Sequence, residues 1–95
     1  MAEEAASPPR ALIADDQPDV LDALRLLLKP AGFSVEAVST PREVLASISA
    51  TTYDVALIDL GMPGMPGNRV AQEMVASDPS LVTVMITGWE IEETD

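Results

Sequence analysis

Four short apolar runs alternate with three segments of helical spacing, and this order constrains the fold more than any other feature of the chain. The four runs cover residues 11–14, 33–37, 53–58 and 81–86; the second alternates apolar and polar residues, and the others are more nearly continuous in apolar character. They are too short for helices and are bounded by turn-forming residues, so each predicts a β-strand.

Apolar periodicity, prolines at first helical positions and the residues that follow each segment predict helices over 18–29, 41–50 and 68–77. Thr40 and Glu43 have the side chains and the spacing of a capping box at the start of the second helix. The order βαβαβαβ predicts a parallel sheet with right-handed crossovers and helices on both faces. The nearly continuous apolar character of the third and fourth strands predicts that both are buried on both faces.

Size and composition predict one small domain. The chain has 95 residues, 47% of them apolar but only 3% aromatic, so its core must be built from aliphatic side chains and methionine. Residues 1–9 are small and acidic and end in two prolines, a composition typical of a disordered lead-in. We therefore expect a disordered tail over 1–9 and a single α/β domain over 10–95.

The absence of two residue types removes several classes of function. The sequence contains neither cysteine nor histidine, which excludes disulfides, Cys–His and Ser–His–Asp catalysis within this chain and the usual zinc ligands. The ligands that remain are carboxylates, hydroxyls and carbonyls, and these suit hard cations such as Mg²⁺.

The charge balance bears on partners and location. Sixteen acidic residues against five basic ones give a net charge of −11, which argues against direct binding to nucleic acid or to an anionic membrane. The sequence shows no apolar stretch long enough to span a membrane and no positively charged start typical of a signal peptide. A cytoplasmic location is the default expectation.

Polar residues follow three of the predicted strands at the point where each strand ends. Asp15 and Asp16 follow the first strand, Asp59 ends the third, and Thr87 follows the fourth. The carboxyl ends of parallel strands share one edge of an open sheet, and ligands bind at that edge. We expect these residues to lie together there, with Asp59 as the reactive centre.

This pattern resembles the receiver domain of two-component response regulators, over roughly residues 10–88. The resemblance rests on the acidic pair after the first strand, the string YDVALIDLGMPGM at 53–65, and the Thr87–Gly88 step after the fourth strand. It implies a flavodoxin-like receiver fold with strand order 2-1-3-4.

The resemblance also implies a chemistry. Asp59 would be the phosphoacceptor, taking a phosphoryl group from a sensor histidine kinase, a phosphotransfer protein or a small phosphodonor. The metal would be Mg²⁺, held by Asp15, Asp16, Asp59 and the backbone carbonyl of Gly61, with Asp16 favoured as the direct member of the pair. Thr87 would donate a hydrogen bond to a phosphoryl oxygen. The domain would be a phosphoacceptor and not an enzyme.

Each assignment has a simpler alternative. Asp15 could cap the helix that begins near Pro18. Thr87 could be an ordinary strand residue, Asp54 a solvated residue at a strand start, and Asp59 the first residue of a turn. The methionines are better explained as core and loop packing than as a cofactor feature.

The sequence departs from the family pattern beyond residue 88. The family continues with a fourth helix, a fifth strand, a lysine after that strand and a fifth helix, and none is recognisable here; the only lysine is Lys29. Without a fifth strand the fourth would be an exposed edge. We expect self-association, through paired fourth strands or segment exchange, or else a piece of a longer regulator.

Three functions are therefore compatible with the sequence. The first is a shortened phosphoacceptor of a phosphorelay. The second is a degenerate receiver that is never phosphorylated and serves as a dimerisation or docking module, which the missing lysine favours. The third, a Mg²⁺-dependent phosphatase, is disfavoured because the segment 59–61 lacks a second acidic residue to act as acid or base.

Overall fold

A computed structural model describes residues 8–86, and all seven predicted elements are present in that range. Their boundaries differ from the predicted ones by no more than two residues. The elements are β1 (Arg10–Ala14), α1 (Pro18–Leu28), β2 (Ser34–Val38), α2 (Pro41–Ala50), β3 (Val55–Asp59), α3 (Gly67–Ser77) and β4 (Val82–Ile86). The lead-in over 1–9 stays a prediction, since residues 1–7 lie outside the described range. The carbonyl of Pro9 accepts a hydrogen bond from the Ser34 N–H at 2.8 Å.

The four strands form one parallel sheet in the order β2-β1-β3-β4. This confirms the predicted order and the flavodoxin-like topology. The central strands β1 and β3 pair directly, with Ala14 opposite Ile58, so the residues that follow them leave the sheet side by side.

The main core lies between the sheet and helices α2 and α3. Alternate residues of β1 and β3 point into it, because successive side chains of a strand face opposite sides. Its buried members are Leu12, Ala14, Val44, Ile48, Tyr53, Ala56, Ile58, Met62, Val70 and Met74. The intervening residues Ala11 and Ile13 are also fully buried, on the face that α1 covers. Helices on both faces of the sheet are thus confirmed, and so is core packing by methionine.

Helix α1 covers its face of the sheet only in part. Helix α1 contacts β1 and β2, and it has no fully buried residue; Leu27, one of the residues that predicted the helix, is 68% exposed. The expectation that the nearly continuously apolar strand β4 is buried on both faces is wrong. Val82 is 60% exposed and Val84 45% exposed, because β4 is an edge strand within residues 8–86 and no described helix covers this side of it.

Helix α2 begins with the predicted capping box. Thr40 is the N-cap, and its Oγ1 accepts a hydrogen bond from the Glu43 N–H at 3.2 Å, with Pro41 at the first helical position. The return bond runs from the Ser39 N–H to Oε1 of Glu43 at 2.9 Å, one residue before the N-cap. Among residues 8–86 no helix has both the length and the hydropathy needed to cross a membrane.

Candidate functional site

The three predicted carboxylates meet at the carboxyl edge of the sheet. Asp15 and Asp16 follow β1, and Asp59 is the last residue of the adjacent strand β3. One carboxylate oxygen from each of the three lies within 4.8 Å of the others. The parallel register of β1 and β3 produces this arrangement, so the expected convergence is present.

Two of the three carboxylates are buried and partly held by backbone hydrogen bonds. Asp15 is 4% exposed and Asp59 is 9% exposed, whereas Asp16 is exposed. Oδ1 of Asp15 accepts from the Gln17 N–H at 2.9 Å, and Oδ1 of Asp59 accepts from the Gly61 N–H at 2.9 Å. Neither bond uses Oδ2, so each buried carboxylate keeps an oxygen for another ligand.

Burial and the neighbouring carboxylates both act on the pKa of Asp15. Its pKa is raised above the usual value, first by burial and then by the negative charges of Asp59 and Asp16, against the opposing effect of the Gln17 hydrogen bond. Within residues 8–86 no lysine or arginine forms an ion pair with the cluster; the ion pairs found there join Arg25 to Asp22 and Arg69 to Glu73, on helix surfaces. Oxygen donors at this spacing fit a hard divalent cation such as Mg²⁺.

The alternative role of Asp15 as a helix cap is not observed. The N-cap of α1 is Gln17, which has no side-chain capping bond, and Asp15 bonds the N–H of Gln17 itself. That bond is an Asx turn that fixes the strand end one step before the helix. Asp15 is thereby oriented as part of the cluster.

The loop between β3 and α3 is attached to the rest of the protein at several points. The Leu60 N–H donates to the carbonyl of Ile86 at 2.9 Å, and Met62 is 5% exposed in the core. Gly64 adopts φ +111°, a conformation that favours glycine, and packs near Pro41 at the start of α2. Gly61, the predicted carbonyl ligand, lies two residues beyond Asp59 and is hydrogen bonded to it.

Two further residues discussed in the sequence analysis, Thr87 and Lys29, are not part of the described cluster. Thr87 lies outside the described residues, so its role stays a prediction; β4 ends at Ile86, which pairs in register with Asp59. Lys29 is the C-cap of α1, and an 11-residue helix, about 16 Å long, separates it from the site edge.

Three residues make contacts in the structure that the sequence did not predict. Tyr53 was assigned to the third strand, but it precedes β3, is buried, and its Oη donates to Oε1 of Glu36 at 2.5 Å. Asp54 is exposed as expected, and its Oδ2 accepts from the Arg10 N–H at 2.7 Å. Gly67 was predicted to lie in the loop just before the helix and is instead the first residue of α3. Its residue type gives no signal of the close approach to Leu60 that the structure shows.

The comparison with protein families decides the assignment. A family model of the response regulator receiver domain matches residues 11–95. The chain belongs to the response regulator receiver family. The receiver is 34% identical over 80 residues to the C4-dicarboxylate transport transcriptional regulatory protein DctD of Rhizobium meliloti, covering 84% of this chain and 17% of that protein. It is 32% identical over 81 residues to the sensory transduction protein RegX3 of Mycolicibacterium smegmatis, covering 85% and 35% respectively.

Solved receiver structures share the fold. A CheY-like receiver domain from Methanospirillum hungatei superimposes with a TM-score of 0.84 at 32% identity, covering 90% of this chain and 68% of that one. The response regulator TrrA of Thermotoga maritima, in complex with Mg²⁺-BeF, gives 0.80 at 26% identity, covering 85% and 70%. The receiver spans about a third or less of the curated relatives described above.

Proposed function

We propose that this receiver accepts a phosphoryl group on Asp59, with Mg²⁺ held by Asp15, Asp16, Asp59 and the carbonyl of Gly61. The observation that carries the proposal is the convergence of three strand-end carboxylates to within 4.8 Å. The donor would be a phosphohistidine on a sensor histidine kinase or phosphotransfer protein, or a small acyl phosphate.

The geometry suits a nucleophilic carboxylate. Asp59 accepts the Gly61 N–H on Oδ1, which leaves Oδ2 to form the new bond to phosphorus. As that bond forms, the bond between phosphorus and the donor nitrogen or oxygen breaks, and the leaving group keeps the electron pair. Mg²⁺ would neutralise charge on the phosphoryl oxygens and the crowded carboxylates. Thr87 would then donate its hydroxyl hydrogen to a phosphoryl oxygen.

Two solved structures of one relative, TrrA, support this choice of ligand and partner. TrrA was crystallised with Mg²⁺-BeF, and also with the histidine kinase ThkA, in a complex that matches this chain with a TM-score of 0.80 at 25% identity. We therefore assign the metal, the phosphodonor class and the kinase partner as parts of the same proposal.

Intact-mass measurement tests the proposal. The protein is incubated with acetyl phosphate and Mg²⁺, and we expect a single labile phosphoryl adduct. Asp59→Asn should abolish the adduct, whereas the matched control Asp54→Asn, an exposed aspartate before the same strand, should keep it. An unmodified wild type, or an adduct that survives Asp59→Asn, would contradict the proposal. Donor hydrolysis that outpaces adduct decay would instead indicate a phosphatase.

A second function, self-association, is favoured by a separate observation. β4 is an edge strand within the described range, and Val82 and Val84 on it are exposed on the face that α1 leaves open. Pairing of two β4 edges would extend the sheet and shield these valines from solvent. Size-exclusion chromatography with light scattering should show a dimer; a well-folded monomer at all concentrations would contradict it.

A further inference from the structure

The first residue of α3 packs directly on the residue that follows Asp59. A Cβ atom placed on Gly67 would lie 2.5 Å from Cδ2 of Leu60, 3.1 Å from its carbonyl oxygen and 3.2 Å from its Cα. The side chain of Leu60 could rotate away from the first contact, but the other two involve backbone. Only glycine lets the start of α3 approach Leu60 this closely without a shift of one segment.

Neither segment is free to shift. Leu60 is held by its N–H, which donates to the carbonyl of Ile86 at 2.9 Å. Helix α3 is held by Val70 and Met74, which are 2% and 1% exposed in the core. An added methyl group at position 67 would therefore strain the short segment between Asp59 and the loop.

This segment carries two of the proposed metal ligands. Leu60 separates Asp59 from Gly61, and the Gly61 N–H bonds Oδ1 of Asp59 at 2.9 Å. We propose that Gly67 is a positioning residue: the close packing of α3 on the Leu60 backbone holds the Asp59 carboxylate and the Gly61 carbonyl in the geometry that binds Mg²⁺. This inference rests on the proposed metal site and adds a residue outside it.

The backbone conformation of Gly67, taken alone, predicts that alanine is tolerated at this position. The described residues with positive φ are Gly32 and Gly64, so Gly67 has a backbone conformation that alanine also adopts. Alanine is moreover the better helix former. If conformation alone mattered, Gly67→Ala would be harmless or stabilising, and a loss of metal binding must come from the contact with Leu60.

The test compares Mg²⁺ binding by isothermal titration calorimetry in three proteins. Gly67→Ala should bind Mg²⁺ about tenfold more weakly than the wild type, the size of effect seen when a partner that orients a ligand is lost. Gly32→Ala is the matched control: φ at Gly32 is +102°, so alanine strains the fold, yet Gly32 precedes β2 at the opposite edge of the sheet. It should lower the melting temperature and leave Mg²⁺ affinity unchanged.

The outcomes separate this inference from the proposed function. A wild type that does not bind Mg²⁺ would contradict the proposed metal site itself. A wild type that binds, together with a folded Gly67→Ala variant of equal affinity, would overturn only the role of Gly67. If Gly67→Ala fails to fold, the same substitution is made in a Leu60→Ala background, where the nearest side-chain contact is gone. The backbone contacts remain there, so the double variant should still bind more weakly than Leu60→Ala alone, and equal affinities would overturn the inference.

Discussion

The backbone N–H of Leu60 donates to the carbonyl oxygen of Ile86 at 2.9 Å, which joins the residue after Asp59 to the last residue of β4. The next N–H along the chain, that of Gly61, is held by the Asp59 side chain instead. Consecutive amides beside the Asp59 carboxylate thus have different acceptors, one in the sheet and one in the acidic cluster.

This difference predicts a selective effect on amide hydrogen exchange. Asp59→Ala removes the acceptor of the Gly61 N–H but leaves the bond from Leu60 intact. We expect exchange at Gly61 to become faster by about tenfold, the equivalent of one typical hydrogen bond, with little change at Leu60. Residue-resolved exchange by NMR measures both. Equal acceleration at the two amides would show that the loop opens as a unit and would contradict the separate roles.

Mg²⁺ should stabilise the folded protein at neutral pH. A ligand that binds only the folded state at 100 times its Kd contributes about 2.7 kcal/mol to the free energy of unfolding. Urea unfolding with and without Mg²⁺ at pH 7 measures the gain, and Asp59→Asn should remove most of it. A gain of equal size in that variant would place the bound ion elsewhere on this acidic protein.

The raised pKa of Asp15 predicts a pH dependence in the absence of metal. A raised pKa in the folded state means that the contribution of Asp15 to stability is greatest below its unfolded value of 3.8 and is lost as the pH rises through the folded pKa. Asp15→Asn should therefore be more stable than the wild type at pH 7 in EDTA, and the difference should shrink towards pH 3. A wild type that is more stable than the variant at pH 7 would contradict the crowded-charge description.

Loss of the hydrogen bond between Tyr53 and Glu36 should change the stability of the protein but not its affinity for Mg²⁺. Tyr53→Phe should lower the free energy of unfolding by roughly 0.5–1.5 kcal/mol, the net value of one such bond. Mg²⁺ affinity should stay unchanged, because Tyr53 precedes β3 and lies at the edge of the sheet opposite the cluster. The pKa of Tyr53 is raised by burial and then by Glu36, so wild-type stability should fall as the pH rises above 10. Urea unfolding at pH 9 and pH 11 should show that fall in the wild type and less of it in Tyr53→Phe.

The exposed edge of the sheet predicts the effect of a charge. Val84→Lys places an ammonium group on the open face of β4, where Val84 is already 45% exposed, so the monomer should tolerate it. We expect the variant dimer to dissociate at a protein concentration at least tenfold higher than the wild-type dimer does. The loss of about 1.4 kcal/mol of association free energy raises the dissociation constant tenfold. Light scattering over a concentration series measures this change. The control is Val75→Lys, a substitution at an exposed position of α3. An unchanged dimer would exclude β4 as the interface.

The acidic cluster and the cap of α2 could be predicted from the sequence, because local pattern and chain topology determine both. The acidic pair and Asp59 could be placed together because they end strands that must be parallel, and parallel strands end at one edge. The capping residue Thr40 was also predictable, since a capping box depends on residues three apart. In both cases the decisive interaction is set by the chain itself.

The features that sequence reasoning missed depend on packing between distant elements. An apolar β4 predicted burial on both faces, but what covers a strand depends on which helices lie over it, and α1 lies over β1 and β2. The close contact of Gly67 with Leu60 and the hydrogen bond of Tyr53 to Glu36 likewise require the tertiary arrangement. A residue type alone does not reveal such contacts.

Locating the phosphoryl group tests most directly whether Asp59 is the phosphoacceptor. The protein is treated with acetyl phosphate in Mg²⁺ or in EDTA, the acyl phosphate is reduced with borohydride, and peptide sequencing by mass spectrometry identifies the reduced residue. We expect homoserine at position 59, formed in Mg²⁺ and nearly absent in EDTA. Reduction at another aspartate, or equal modification with and without Mg²⁺, would contradict it.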